Sequence, residues 1–346
     1  MIHQELLAQN PDIMCLQEVD RLDKITAMLE SSQYSHLYAA GQSKKHGCLI
    51  AFKRSKFTKL SHHLVDYDQE EIRADGDTHT RQGRTFRTRN IGLLLALKST
   101  EDDNWGILVV TTHLFWHPKY DYERARQAGI LVREIIKYRS SLQISHWPCI
   151  LAGDFNFTPN DPAYALIVGE PLLDEHRLKI SESQVVHISV DPAWQKTSSV
   201  ATSNDEEEAI DPDRVITNAR VATPADGLLS IPELEDLYAQ GAQLRSIYDI
   251  GLRESRRHSD QFFRTFGDRV SLPLGKCGSY EPEYTSYAHY WKTVLDYIFV
   301  LDPVGYQGQV FGLLAPHRSE DLEPGLPKRG VCGSDHISLV AELGWH

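Results

Sequence analysis

Asp154 and Asn156, in Ile150-Leu151-Ala152-Gly153-Asp154-Phe155-Asn156-Phe157-Thr158-Pro159, are two oxygen-bearing side chains at the end of an apolar run. On extended chain an i, i+2 pair points to one side of the backbone. The spacing therefore predicts one charged and one neutral oxygen ligand facing a common point. Oxygen pairs of this kind suit Mg²⁺ or Mn²⁺ better than zinc. The plainer reading is an Asx-turn, in which both side chains only cap their own backbone. Three further segments weigh against it, because they also end on polar residues. Glu18 follows Ile13-Met14-Cys15-Leu16-Gln17, His113 follows Ile107 to Thr112, and Asp335-His336 stands at the start of Ile337 to Leu343. Asp296 lies inside Thr293-Val294-Leu295-Asp296-Tyr297-Ile298-Phe299-Val300. A carboxylate in an apolar strand is too costly unless it is paired or hydrogen-bonded. His336 is the expected partner, since an aspartate on an imidazole holds its tautomer and favours its charged form.

Glu18, His113, Asp154, Asn156, Asp296, Asp335 and His336 together supply the parts of metal-dependent phosphodiester hydrolysis. Carboxylates hold the cation, an aspartate or asparagine positions the attacking water, and an aspartate-backed histidine donates to the phosphoryl oxygens. The chain has no G-x-S-x-G elbow and no H-E-x-x-H, so serine-hydrolase and zinc-protease readings fail.

The elements that must carry these residues alternate between strand and helix. Residues 1–10 read as the tail of an amphipathic helix (Ile2, Leu6, Leu7), ended by Asn10-Pro11. Strands are predicted over Asp12 to Gln17, Cys48 to Phe52, Ile91 to Leu97, Ile107 to Thr112, Ile150 to Ala152, Val294 to Leu301 and Ile337 to Leu343. Helical spacing recurs at 21–32 and at roughly 121–138, where Arg124 and Arg126 are read as solvated. Residues 66–90 are polar and irregular, and Arg81, Arg84, Arg87 and Arg89 read as a solvated loop. Residues 170–245 read as an elaboration of one domain spanning 1–346, with Ser198 to Asp213 an acidic, mobile surface excursion.

Composition bounds the partners. A formal net charge of −12 argues against broad coating of duplex nucleic acid, yet leaves room for a narrow site that takes one strand end. No apolar run approaches membrane-spanning length. The start, Met1-Ile2-His3-Gln4-Glu5, lacks a signal-peptide pattern. Five cysteines in no C-x-x-C pair are read as reduced thiols of an intracellular protein, in cytoplasm or nucleus.

Five motifs, in order, are similar to those of the endonuclease/exonuclease/phosphatase superfamily. They are Asn10-Pro11-Asp12-Ile13 through Leu16-Gln17-Glu18-Val19, Thr112-His113-Leu114, Gly153-Asp154-Phe155-Asn156, Leu295-Asp296-Tyr297 and Gly333-Ser334-Asp335-His336. Thr112 to Pro118 resembles the poly(A)-deadenylase branch, which also contains the nocturnin and angel proteins. Tyr284-Thr285-Ser286-Tyr287 through Trp291 to Phe299 resembles the fungal Ngl-type RNA exonucleases.

The resemblance implies an α/β four-layer sandwich, two packed mixed sheets flanked by helices. It also implies Mg²⁺-dependent 3′→5′ removal of nucleotides from a single-stranded RNA end, releasing 5′-nucleoside monophosphates. By position it makes Glu18 a metal ligand with Asp335 near the metal, and His113 a phosphate contact. Asp154 and Asn156 become the water- and phosphate-positioning pair, and Asp296 the support of His336. Pro118 and Trp291 fall where the terminal base is sandwiched, although Trp291 reads equally as a packed strand-edge aromatic. Ser286 stands where deadenylases carry an asparagine near the adenine. The family's first strand, with its asparagine, has no counterpart here, so the expectation includes a sheet lacking one strand. Two alternatives stand beside this reading. One is a phosphatase or phosphodiesterase on a small molecule such as an inositol phosphate or nucleotide, with Arg81 to Arg89 gripping phosphate. The other is a catalytically impaired relative.

Overall fold

The computed structural model describes residues 2–195, 216, 218–239, 243–258 and 263–345; the acidic stretch Ser198 to Asp213 lies outside the described residues. In chain order the strands are β1 (Ile13–Val19), β2 (Tyr34–Ala39), β3 (Gly47–Lys53), β4 (Phe57–Asp66), β5 (Ile91–Ser99), β6 (Gly106–His113), β7 (Cys149–Asp154), β8 (Val185–His187), β9 (Ala219–Val221), β10 (Arg245–Ser246), β11 (Ser286–Tyr287), β12 (Lys292–Thr293), β13 (Asp296–Leu301), β14 (Gln309–Leu313) and β15 (Ala341–Gly344). They form a three-stranded sheet ordered β1-β3-β2, a six-stranded sheet ordered β10-β13-β7-β6-β5-β4, and two-stranded pairs. Among the described residues, only β6 and β7 run parallel in the large sheet, joined through the helix Asp121–Ser141.

Side-chain alternation divides each central strand between two apolar layers. On β5, Leu93, Leu95 and Leu97 share a core with Ile50, Phe52, Ile107 and Val109, which seals the two sheets against each other. The intervening Leu94 and Ala96, with Leu108 and Val110, face the helices on the outer side. Leu49 and Ala51 of β3 turn the other way, toward Met28 and Leu29 of the helix Leu22–Ser31. The order is helix, sheet, sheet, helix, the expected sandwich. Each fully buried aliphatic side chain contributes about 1.5–3 kcal/mol, and burial on both faces is why these strands read as unbroken apolar runs. Residues on either side of the undescribed stretch join the same outer core: Leu172, Ile180, Leu229, Leu234 and Tyr238 pack with Leu131 and Ile135.

Three expectations are corrected. Strands β2 and β4 escape the apolar pattern because each lies at a sheet edge, and polar residues such as Lys59, His62 and His63 suit an edge. The predicted terminal strand shrinks to Ala341–Gly344. Before it, the Ile337 N–H donates to Thr285 O and the Val340 N–H to the Tyr248 hydroxyl, rather than to a continuous ladder. Arg124 and Arg126 are not solvated: they are 1% and 0% exposed. The segment 67–90 covers their helix. Arg126 donates to Glu123, Gln82 O and Tyr67 O, and the other Glu123 oxygen accepts from Thr85. Arg124 reaches Asp121 and the His117 and Pro118 carbonyls. These pairs fasten the loop that borders the site.

Glu281 is buried, accepts from the Tyr164 hydroxyl at 2.8 Å, and has one carboxyl oxygen without a partner. Burial and the nearby Asp249 charge push its carboxyl up to about 8. The unfolded chain loses this proton near 4.3, so its contribution is fully present below that pH and is lost as pH rises through 8. Glu281→Gln is expected to melt with wild type at pH 4 and to be more stable above pH 8, by about 1–3 kcal/mol. Thermal melts across that range check it; parallel profiles would refute it.

Candidate active site

Three neighbouring strands of the large sheet deliver three polar side chains in one row. His113 pairs with Asp154 across β6 and β7, and Asp154 pairs with Asp296 across β7 and β13. Hydrogen-bonded strands lie about 4.8 Å apart, so the register alone brings these groups together. Gly153 permits the approach: a Cβ there would meet the Thr112 carbonyl oxygen at 2.2 Å. His336 joins from the loop between β14 and β15, where its backbone bridges Ser286. Glu18 comes from the other sheet.

The side chains form a line of alternating carboxylates and imidazoles. Glu18 Oε1 lies 3.9 Å from His113 Nδ1, and His113 Nε2 lies 3.4 Å from Asp154 Oδ2. Asp154 Oδ2 is 3.9 Å from His336 Nε2, and His336 Nδ1 is hydrogen-bonded to Asp296 Oδ2 at 2.8 Å. Asp154 is 6% exposed whereas the Glu18 side chain is 66% exposed, so the line starts in solvent at Glu18 and is most buried at its middle, Asp154.

Asp154 and Asn156 do not lie on continuous extended chain. Asn156 has φ 52, in the left-handed region, and its N–H donates to Asp154 Oδ1 at 2.9 Å. Its Nδ2 donates to Leu114 O at 3.0 Å. An Asx-turn is therefore present, and it has a chemical use. Oδ1 is occupied by backbone, which leaves Oδ2 toward the two imidazoles. Glu18, φ 54, stands at a bulge in the β1–β3 ladder, where register shifts between Leu16 and Val19. Bulges beside active sites re-aim side chains, and this one turns a carboxylate out of the sheet.

Burial, reinforced by the Asp296 and Glu18 charges, raises the Asp154 carboxyl above the usual carboxylate range, with His336 and the Asn156 N–H acting the other way. Burial, with Lys44, His336 and His46 nearby, pushes the His113 imidazole down to about 3. For His336 burial acts downward, yet Asp296, Asp154 and Asp335 hold it well above its ordinary value. The two imidazoles are thus driven apart, His113 toward its neutral form and His336 toward its charged form.

Among the described residues, one ligand atom each from Asp154, Asp296 and His336 lies within 4.8 Å of the others, a group able to hold a metal ion. His336, held protonated by Asp296, is a poor member of it. The fit is electrostatic: burial, then the Asp296 and Glu18 carboxylates, raise Asp154, and the exposed Glu18 oxygens offer hard ligands to a divalent cation beside it. Asp335 is exposed on the loop before His336.

Pro118 is exposed on the loop after β6, its carbonyl fixed by Arg124, and Trp291 is half-buried just before β12. Ser286 is 2% exposed inside the β11–β12 pair, so it presents no surface to a base. Its neighbour Thr285, not singled out from the sequence, has the stronger structural position. Its buried hydroxyl accepts from the Leu295 and Asp296 N–H groups, and its carbonyl accepts from Ile337. It ties together the two segments that bear Asp296 and His336. Only its place in Tyr284-Thr285-Ser286-Tyr287 marked it.

Residues 1–336 match the family described as the Endonuclease/Exonuclease/phosphatase family. A "probable RNA exonuclease" of Schizosaccharomyces pombe is 28% identical over 99% of this chain and 69% of its own. RNA exonuclease NGL2 of Saccharomyces cerevisiae is 26% identical over 96% of this chain and 70% of its own. In fold the chain is similar to the crystal structure of ANGEL2, a 2′,3′-cyclic phosphatase, with a TM-score of 0.58 at 22% identity, covering 99% of this chain and 84% of that one.

Proposed function

The chain belongs to the endonuclease/exonuclease/phosphatase family, and on that premise we propose that it is a Mg²⁺-dependent 3′→5′ exonuclease acting on single-stranded RNA ends. The phosphodiesterase class follows from the family. RNA as substrate is supported by two relatives named RNA exonucleases, each matched over nearly the whole of this chain. The observation that carries the reading is the Asp296–His336 pair at 2.8 Å set beside Asp154 Oδ2. It supports the reading by setting an aspartate-backed imidazole 3.9 Å from a carboxylate oxygen.

Glu18 and Asp335 are the carboxylates offered to Mg²⁺, which when bound neutralises phosphate charge and lowers the pKa of nearby water. Asp154 Oδ2 orients the attacking water and accepts its proton. The water oxygen bonds to phosphorus, the bond from phosphorus to the 3′ oxygen of the preceding nucleotide breaks, and that oxygen takes a proton from solvent to become the new 3′ hydroxyl, while Asp154 returns its proton to solvent. The terminal nucleotide leaves with its 5′ phosphate. His336 Nε2–H donates to a phosphoryl oxygen as charge builds there, and neutral His113 contacts the same phosphate without adding a second cation. Pro118 and Trp291 hold the terminal base, where stacking contributes about 1–3 kcal/mol per base.

The test is trimming of 5′-labelled oligo(A), oligo(U) and a mixed RNA with Mg²⁺. Stepwise shortening is expected, abolished by EDTA and reduced at least about 10²-fold in Glu18→Ala. A folded protein that removes only a terminal or cyclic phosphate would replace this reading with the small-molecule phosphatase.

A further inference from the structure

A second basic cleft opens beside this site. It has a volume of about 290 Å³ and is lined by Gln42, Ser43, Asp66, Asp68, Gln69, Arg84, Arg87 and Arg89. Arg89 also lines the small cavity that holds Glu18, Lys44, Asn90 and His113, so the two spaces are neighbours with Arg89 in the wall of both. The junction is tightly built. Arg89 has φ 54, and a Cβ on Gly41 would lie 1.8 Å from the Arg89 carbonyl oxygen.

The cleft holds more cationic hydrogen-bonding capacity than the protein uses. Arg84 gives one guanidinium nitrogen to Asp68 O, while its buried Nε has no partner. Among the described residues, no carboxylate lies within ion-pair distance of Arg84, Arg87 or Arg89, in contrast to Arg73, Arg81, Arg124, Arg126 and Arg133. The two lining carboxylates accept hydrogen bonds from their own loop rather than from these guanidinium groups. Asp68 accepts from Thr88 and the Arg89 N–H, and Asp66 accepts from the Asp68 N–H. Burial, together with Arg126 and Arg87, lowers the Arg84 pKa despite the opposing Asp68 charge. Three arginines thus line a space roomy enough for several waters at ~30 Å³ each. Planar forks in a concave space are what a phosphate group satisfies.

We propose that this cleft binds a backbone phosphate of the RNA on the 5′ side of the scissile bond. The inference rests on the exonuclease reading, which leaves one nucleotide on the 3′ side, so further phosphates lie upstream. The cleft makes the enzyme length-sensitive: a strand long enough to reach Arg84 and Arg87 is held while successive ends are cut.

The test compares wild type, Arg87→Gln and the double variant Arg84→Gln/Arg87→Gln on oligo(A) from two to eight nucleotides. The exposed Arg87 tests the site without disturbing the buried contact of Arg84, and thermal melts confirm folding of both variants. Wild-type kcat/KM is expected to rise with length, and the eight-to-two ratio to fall about tenfold in the double variant. Fluorescence anisotropy in EDTA is expected to show the same loss in affinity, with a salt slope shallower by about 0.7 per phosphate contact removed. An unchanged ratio in a wild type that trims RNA overturns the subsite and leaves the exonuclease reading standing. Wild type that trims nothing removes both. A third arm measures competition by adenosine mono- and bisphosphates. Loss of bisphosphate preference in the double variant, without any length effect, would assign the cleft to the terminal phosphate of a small ligand and overturn the backbone proposal.

Discussion

Asp154→Asn is expected to lower kcat on RNA by about 10³–10⁴-fold while leaving the melting temperature unchanged or raised. Two physical facts set the size and sign. Oδ1 of Asp154 is engaged by the Asn156 N–H, so the amide oxygen of an asparagine can replace it and keep the turn. The amide nitrogen then occupies the Oδ2 position, facing His113 at 3.4 Å and His336 at 3.9 Å. It cannot accept the water's proton. Stability moves the other way, because burial and the Asp296 and Glu18 carboxylates oppose the Asp154 charge and substitution removes that conflict. Paired turnover and melting measurements decide it. A variant that loses activity and stability together would make Asp154 structural.

Asp296→Asn is expected to cost about 10²–10³-fold at pH 8, and to regain about tenfold of that at pH 6. The sign follows from His336. Its charge is held against burial by Asp296, then by Asp154 and Asp335. With Asp296 neutralised, burial gains weight and the imidazole pKa falls. The cationic donor is fully present below the lowered pKa and is lost as pH rises through it. The ratio of variant to wild-type kcat, rather than either profile alone, isolates this effect, because Asp154 titrates in both proteins. A ratio flat from pH 6 to 8 would mean that Asp296 does not set the charge of His336. Melting controls matter here as well, since Thr285 fixes the Asp296 backbone independently of its carboxylate.

Much of this was legible in the chain because the signals were local. Strands β5, β6, β7 and β13 are covered on both faces, so each announces itself as an apolar run closed by a polar residue. Asp296 inside such a run pointed to a partner, and His336 Nδ1 is that partner at 2.8 Å. Where burial is one-sided the pattern fades, as in the edge strands β2 and β4. Arg124 and Arg126 misled for the opposite reason. Charge at helical spacing reads as solvent, but a segment some 40 residues earlier folds over the helix, and Glu123 and backbone carbonyls neutralise and satisfy what the burial exposes to loss.

The identity and order of the polar residues at strand ends, and the side-chain alternation that buries two faces of a sheet, are properties of short stretches, and the sequence by itself determined them. Register, torsion and long-range convergence are not local. Only the tertiary structure decided that His113, Asp154 and Asp296 stand on hydrogen-bonded neighbours. The same holds for the bulge at φ 54 that turns Glu18 outward and for the turn that commits one oxygen of Asp154 to backbone. The arginine cleft belongs to the same class. Arg84, Arg87 and Arg89 look like any solvated run until Asp68 is seen to accept from Thr88 and the Arg89 N–H, and Asp66 from the Asp68 N–H, rather than from a guanidinium. An electrostatic field is then set by what each charge does not touch, and no window of sequence records that.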